Sequence, residues 1–227
     1  MKLIVSAFFL FCMLISPVYA ENQLDKYTFN YVTQIPARYE KNLFTLTSYL
    51  TRPYKNDYDK AKAIAYYIAS HMVYDEYLYN EKGRTNLQWR AQRPEDFLQT
   101  KVGICIDFAH LFDKMCKQAG ISSKVVEGYV MDAKKIISKP TRKDSSHAWN
   151  YFIYRSKKIY VDTTFMATAT TGHEKYVTEW NRKQALYKIG KQNRIVSQTY
   201  SINAFYFDFN FAKEKETGQV HVEKIVK

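Results

Sequence analysis

Cysteine is scarce in this 227-residue chain, which has only three, at positions 12, 105 and 116. Cys12 lies in an apolar N-terminal stretch, so only Cys105 and Cys116 belong to the folding part of the chain. They are eleven residues apart on one amphipathic segment, and a helix would separate them by ~16 Å. That separation exceeds the reach of a disulfide, so we expect none between them.

Long apolar runs are also missing. The longest, residues 3–15, follows Lys2 and is too short to cross a membrane comfortably. It leads into a small-residue pattern that ends at Ala20, as at the cleavage site of a secretory signal peptide. We therefore expect cleavage after Ala20, a secreted or periplasmic mature protein, and no membrane span once the signal peptide is removed.

The chain has no internal repeat, no low-complexity segment and no Gly/Ser-rich linker, and it contains only seven Gly and five Pro. We therefore predict one domain with additions at both ends. The expected parts are a signal peptide over 1–20, a leader over 21–56, a core over 57–166 and a C-terminal extension with β-strands over 167–227.

The formal net charge is +12. The chain has no single basic helix and no zinc-finger spacing, which are features of many nucleic-acid readers. We interpret the excess charge as a solvated cationic surface and expect no nucleic-acid partner.

Residues 103–120 form the stretch on which the core is expected to build. Apolar side chains recur there at steps of three and four, which predicts an amphipathic helix. They are Cys105, Phe108, Ala109, Phe112, Met115, Cys116 and Ala119. Gly120 follows, where a helix commonly ends in a left-handed residue. Cys105 lies in the first turn, beside unpaired N–H groups and the positive end of the helix dipole, an environment that favours a thiolate.

Strand patterns follow this helix. Alternation predicts a strand over 123–131, and two runs rich in aromatic and β-branched residues, 147–154 and 158–165, predict a β-hairpin. Further strands are expected over 27–32 and over 200–211, the latter paired with 220–226.

The hairpin offers a base and an orienting group for a Cys105 thiolate. A two-residue loop at 155–156 would place Asp162 opposite Trp149. Asp162 is then one diagonal step from His147 and on the same face, about 7–8 Å away at the backbone, which lets imidazole and carboxylate meet. A loop of odd length without a bulge would put them on opposite faces, so this pairing depends on the turn.

The oxyanion of an acyl-transfer intermediate needs preorganised hydrogen-bond donors. The backbone N–H of Cys105 is one. Gln88 or Trp89, shortly upstream, could supply the second, although a polar loop residue and a core aromatic remain the alternative interpretations. Trp149 is expected in the core, where it could line the acyl site.

The remaining histidines are given no role. His110 is five residues after Cys105, about 140° around a helix, and therefore faces away from it. No partner pattern is found for the other three, His71, His173 and His221.

Several blocks together resemble the core of the transglutaminase-like superfamily. In order they are VGICIDFAHLF, AGI, VVEGY, HAWN and VDTTF, within a region that covers about 57–166. The resemblance implies an α+β papain-like fold, in which the helix bearing the cysteine packs on an antiparallel β-sheet. It also implies that Cys105 is the nucleophile, His147 the base and Asp162 the group that orients the base.

The resemblance further implies an exported thiol enzyme that cleaves or transfers acyl groups at peptide or amide bonds through a Cys105 acyl-enzyme. A cysteine peptidase or amidase acting on a peptide or protein substrate is the leading interpretation. Two alternatives stay open, namely a protein transamidase (transglutaminase) and a non-catalytic binding module on the same fold.

The family includes calcium-dependent cross-linkers, but no acidic cluster here indicates a calcium site. A zinc site is disfavoured because the close ligand pairs and a fourth ligand are missing. We therefore expect no metal and no cofactor.

Overall fold

The computed structural model describes residues 25–74, 91–132, 145–168, 202–214 and 219–223. The expected signal peptide and much of the C-terminal extension lie outside the described residues, as do Gln88 and Trp89. Among the helices in the described ranges, none is long and apolar enough to cross a membrane.

Three helices form the N-terminal part of the described chain. They are α1 (Lys26–Thr33), α2 (Leu43–Thr51) and α3 (Asp57–His71), with a short 3-10 turn at Ala37–Tyr39. Each of these α-helices is capped at its start by a side-chain oxygen that accepts a hydrogen bond from an N–H of the first turn. The capping residues of α1, α2 and α3 are Asp25, Asn42 and Asn56. Both α1 and α2 pack against α3, which also contacts the helix that carries Cys105.

The strand expected over 27–32 is wrong, because that segment is the helix α1. Its buried residues, Thr28, Phe29 and Val32, follow helical spacing and face α3. The Asp25 carboxylate accepts from the Thr28 N–H at 3.0 Å, which stabilises the first turn. Packing and this cap outweigh the weak alternation of aromatic residues, Tyr27, Phe29 and Tyr31, in the sequence.

The predicted cysteine helix is confirmed as α5 (Cys105–Gln118). It is preceded by β1 (Val73–Tyr74), α4 (Pro94–Thr100) and β2 (Val102–Gly103), and β1 pairs with β2 in parallel. Gly120 has φ 79°, as expected after the helix end. Its N–H donates to the Lys117 carbonyl at 3.1 Å and the Ile121 N–H donates to the Cys116 carbonyl at 2.9 Å, a Schellman arrangement.

One four-stranded antiparallel sheet lies against α5. Its strands are β3 (Ser123–Asp132), β4 (Ser145–Tyr154), β5 (Lys157–Val161) and β6 (Gln219–Glu223), in the order β5-β4-β3-β6. Helix α5 packs on β3 and β4, and α6 (Thr163–Thr168) follows β5. The α+β fold with the cysteine helix on an antiparallel sheet is thus confirmed.

The predicted pairing of a strand over 200–211 with 220–226 is wrong. The described part of 200–211 forms a 3-10 turn at Ala204–Tyr206 and, from Phe211 to Glu214, the short helix α7. Asp208 has φ 59°, which bends the chain out of an extended path. Strand β6 instead pairs with β3, with Val222 opposite Tyr129.

Candidate active site

Cys105 is the first residue of α5 and is buried. Asp107 anchors this end of the helix. One of its carboxylate oxygens accepts from the Ile104 N–H at 2.8 Å and the other from the Gln92 N–H at 2.6 Å. A Cβ at Gly103 would lie 2.5 Å from Asp107 Oδ2, so glycine is what allows the carboxylate this close to the backbone. The chain before α5 is therefore held tightly beside Cys105.

The β4–β5 hairpin has the two-residue loop on which the predicted pairing depends. Residues 155 and 156 both have positive φ, 48° and 63°, as a tight hairpin turn requires. Asn150 pairs with Val161, so Asp162 follows opposite Trp149.

This register brings the predicted base and its orienting group together. His147 Nε2 lies 2.6 Å from Asp162 Oδ2, and both side chains are buried. The Cys105 side chain lies close enough to the His147 ring to raise the pKa of that ring. Because Nε2 is bonded to the carboxylate, Nδ1 is the nitrogen left for the sulfur. The structure therefore bonds His147 to Asp162 and places Cys105 beside the same ring.

Charge interactions outweigh burial at this pair. Burial lowers the pKa of His147, but the Asp162 carboxylate and the Cys105 side chain favour the imidazolium and raise that pKa to about 9. Burial raises the pKa of Asp162, but the charges and hydrogen bonds of His147 and His221 bring it below its usual range. An ionised Asp162 can only accept hydrogen bonds, so His147 Nε2 carries the proton.

The second cysteine has a different environment. Cys116 is buried in the apolar core, and burial raises the pKa of its thiol well above the ordinary value. Both cysteines are free thiols. Cys116 therefore behaves as a small apolar side chain, as its place in the apolar stripe of α5 predicted.

His221 belongs to the site, although the sequence assigned it no role. Its Nε2 lies 2.8 Å from Asp162 Oδ2, the same oxygen that bonds His147. Its Nδ1 meets Glu214 Oε1, and its backbone N–H donates to Glu214 Oε2 at 3.0 Å. The one sequence signal is a histidine between two valines in a predicted strand, which fits many buried positions equally well.

Trp149 is buried beside this cluster, in the core position that the sequence predicted. Its ring centroid is 6.0 Å from that of His147 and 4.7 Å from that of His221. Gly128 on β3 makes the room, since a Cβ there would lie 2.5 Å from the Trp149 ring. The Trp149 indole N–H has no hydrogen-bond partner in the described part of the chain.

His147, Asp162 and His221 each offer a possible metal-ligand atom, and these atoms lie within 4.8 Å of one another. The two histidine nitrogens bond the Asp162 oxygen directly, at 2.6 and 2.8 Å. These bonds account for the cluster by hydrogen bonding within the protein.

Comparison with known proteins identifies one family. The family model described as the transglutaminase-like superfamily matches residues 45–165. This range begins within α2 and ends just after Asp162, so it includes Cys105 and His147 and leaves β6 outside.

Similar proteins include Kyphoscoliosis peptidase from Homo sapiens, which is 30% identical over 135 residues. The aligned part is 60% of this chain and 19% of the human protein. For Kyphoscoliosis peptidase from Mus musculus, the aligned part is 56% of this chain and 18% of the mouse protein. The chain thus spans less than a fifth of the length of these curated relatives.

Similar solved structures include the crystal structure of a TGase, which is 17% identical. The match covers 68% of this chain and 36% of the TGase chain, with a TM-score of 0.41. Another is the periplasmic domain of TgpA from Pseudomonas aeruginosa, bound to ethylmercury, which is 19% identical. That match covers 65% of this chain and 52% of the TgpA chain, with a TM-score of 0.41.

Proposed function

Because this chain belongs to the transglutaminase-like superfamily, we propose that it is an exported thiol enzyme that cleaves peptide or amide bonds through an acyl-enzyme on Cys105. The observation that carries the proposal is the hydrogen bond between His147 and Asp162 at 2.6 Å, with Cys105 beside the same imidazole ring. This arrangement also favours an enzyme over a binding module, which would have no need of it.

In the proposed reaction, the Cys105 thiolate attacks the substrate carbonyl carbon. The tetrahedral intermediate collapses, the C–N bond breaks, and the His147 imidazolium gives its proton to the leaving amine. Neutral His147 then takes a proton from water, whose oxygen attacks the thioester and releases the acid and the thiolate. Asp162 keeps the proton on His147 Nε2, so that Nδ1 faces the reaction throughout.

The backbone N–H of Cys105 is the proposed first oxyanion donor, since it lies at the start of a 14-residue helix. Trp149 is a candidate for the second donor because its indole N–H is unpaired within the described residues and its ring lies next to His147. Gln88 and Trp89, which lie outside the described residues, remain candidates from the sequence.

A labelling experiment tests the nucleophile. Iodoacetamide at neutral pH should modify Cys105 in the folded protein and leave Cys116 unmodified, as located by mass spectrometry of peptides. Cys105→Ala should abolish labelling, and Cys116→Ala is the matched control that should keep it. Modification of Cys116 with Cys105 untouched, in a protein that is still folded, would overturn the proposal.

The fate of the acyl group separates hydrolysis from transamidation. Peptide substrates should be offered in H₂¹⁸O together with a lysine-containing acceptor peptide, and the products weighed. We expect one ¹⁸O in the released acid. An isopeptide product instead would assign the chain to protein transamidation on the same Cys105 chemistry.

A further inference from the structure

Asp162 is held by more than His147. Its Oδ2 bonds two imidazoles, His147 Nε2 at 2.6 Å and His221 Nε2 at 2.8 Å. Its Oδ1 accepts from the Phe165 N–H at 3.0 Å. Because an ionised carboxylate has no proton to donate, both Nε2 atoms donate to the same oxygen. His147 therefore shares its acceptor with a second histidine.

Glu214 completes a buried chain of charged groups behind Asp162. Its Oε1 meets His221 Nδ1, its Oε2 accepts from the His221 N–H at 3.0 Å, and the side chains of Glu214 and His221 are inaccessible to solvent. Since a carboxylate is costly to bury alone, one proton lies between Glu214 Oε1 and His221 Nδ1.

Aromatic rings keep this pair dry. Those of Trp149, Phe165 and Phe209 have centroids 4.7, 5.2 and 4.9 Å from that of His221. Among the described residues, the titratable groups in contact with His221 are His147, Asp162 and Glu214, with the Tyr206 ring at 6.3 Å. His147 in turn faces Cys105, Asp162 and His221. The pair is thus coupled to the proposed catalytic groups through Asp162.

We propose that His221 and Glu214 are positioning residues, which fix the Asp162 carboxylate by a second imidazole donor and so limit how strongly its charge stabilises the His147 imidazolium. The inference rests on the proposed function, in which that imidazolium gives its Nδ1 proton to the leaving amine. Sharing Oδ2 keeps His147 a usable acid, since a carboxylate with a single donor would bind the imidazolium more firmly.

Removal of the His221 donor should therefore change the pKa of His147 in one direction. With Oδ2 bonded to His147 alone, the pKa of His147 should rise above its present value of about 9. Removing only the Glu214 charge should also raise the pKa of His147, but by less. Without that charge His221 becomes neutral more easily, and a neutral imidazole donates a weaker hydrogen bond to Asp162 than an imidazolium does.

Three variants separate positioning from simple packing. His221→Phe keeps an aromatic ring in the cage but loses the donor. His221→Gln keeps an N–H at the position of Nε2, and Glu214→Gln removes one charge. The matched control is Glu223→Gln, an exposed carboxylate on the same strand that bonds the Tyr160 hydroxyl.

The measurement is the titration of the His147 ring by NMR in protein labelled at histidine, with the unfolding free energy measured alongside. We expect the His147 pKa to rise by about one unit in His221→Phe, a tenfold change in the proton equilibrium. A smaller rise is expected in Glu214→Gln, and His221→Gln should return the value toward the original. Glu223→Gln should leave it unchanged.

An unchanged His147 titration in folded Glu214→Gln and His221→Phe would overturn the inference, even if both variants are less stable. Equal shifts in His221→Gln and His221→Phe would also do so, because the donor would then be irrelevant. If His221→Phe fails to fold, Glu214→Gln decides on its own. Iodoacetamide labelling of Cys105 in the same samples tests the proposed function separately, since labelling needs the thiolate and not His221.

Discussion

At the scale of the residue, Asp162 is the group on which the site depends. It is buried and bonds two histidines through one oxygen. Burial by itself favours neutral imidazole, so the charge of Asp162 keeps His147 protonated and, together with that of Glu214, keeps His221 protonated. A substitution that changes Asp162 Oδ2 should therefore alter the protonation of both histidine rings.

We predict that Asp162→Asn lowers the His147 pKa from about 9 to below its ordinary value of 6.5, because burial then acts unopposed by the carboxylate. Cys105 loses its cationic neighbour, and alkylation at pH 7 should slow by about tenfold or more. Alkylation rates against pH provide the measurement. Asp113→Asn, which changes a half-buried carboxylate in the second half of α5 that bonds Lys117 and Ser123, is the control, and an equal loss of rate there would contradict this explanation.

The two raised histidine pKa values also predict how stability depends on pH. His147 and His221 have folded-state pKa values of about 9, above the ordinary 6.5. Folding then binds protons, so this stabilisation is complete below pH 6.5 and is lost as the pH rises through 9. Urea unfolding should show the free energy falling by several kcal/mol over this window, since each pKa unit of difference is worth about 1.4 kcal/mol for each histidine. A stability that rises between these pH values would contradict the assignment.

At the scale of the element, α5 positions Cys105 because its first turn is anchored from outside the helix. Asp107 bonds the backbone of Ile104 and of Gln92, which joins α5 to the chain before α4. Gly103 leaves the space for this carboxylate. The end of the helix is fixed independently, by Gly120 and by the hydrogen bonds that the Gly120 and Ile121 N–H groups donate.

Gly103→Ala should therefore damage the start of α5. The new methyl group would lie 2.5 Å from Asp107 Oδ2 and 2.7 Å from the Phe97 ring. We expect a loss of about 1–3 kcal/mol in the unfolding free energy, together with slower alkylation of Cys105.

Gly120→Ala is the comparison for this prediction. Its Cβ would meet nothing within 4 Å, although its positive φ still carries a cost of about 1 kcal/mol. It should leave Cys105 alkylation unchanged. Equal effects of the two substitutions on the alkylation rate would show that Asp107 does not position the cysteine.

At the scale of the whole molecule, the sheet closes over the site with a strand from beyond the family-matched region. That region ends at residue 165, whereas β6 spans Gln219–Glu223 and brings His221 to Asp162. The C-terminal part therefore contributes to the environment of the proposed catalytic groups.

Ending the chain after residue 210 removes Glu214, His221 and β6 together. We predict a loss of roughly 3 kcal/mol or more, because Asp162 loses a hydrogen-bond donor and the edge of β3 is uncovered. Urea unfolding measures this loss. A matched deletion of residues 224–227 alone should cost far less, and similar losses in the two proteins would contradict the role of β6.

The sequence by itself determined the local features. Helical spacing located α5 with Cys105 at its start, because period and end signals lie within one segment. The hairpin was also located from the sequence, but its register depended on the turn, and the two-residue loop that puts His147 and Asp162 on one face is a finding of the structure. The positions of the helix and the hairpin depend on neighbours along the chain, so they can be predicted from it.

Only the tertiary structure decided the rest. The alternating aromatic residues of 27–32 lie in a helix because α3 offers a surface against which Phe29 and Val32 are buried. His221 meets Asp162 across 59 residues, through a pairing of β6 with β3 that no spacing rule predicts. A lone histidine between valines fits any buried strand, and its partners are chosen by which edges and cavities remain when the chain has packed.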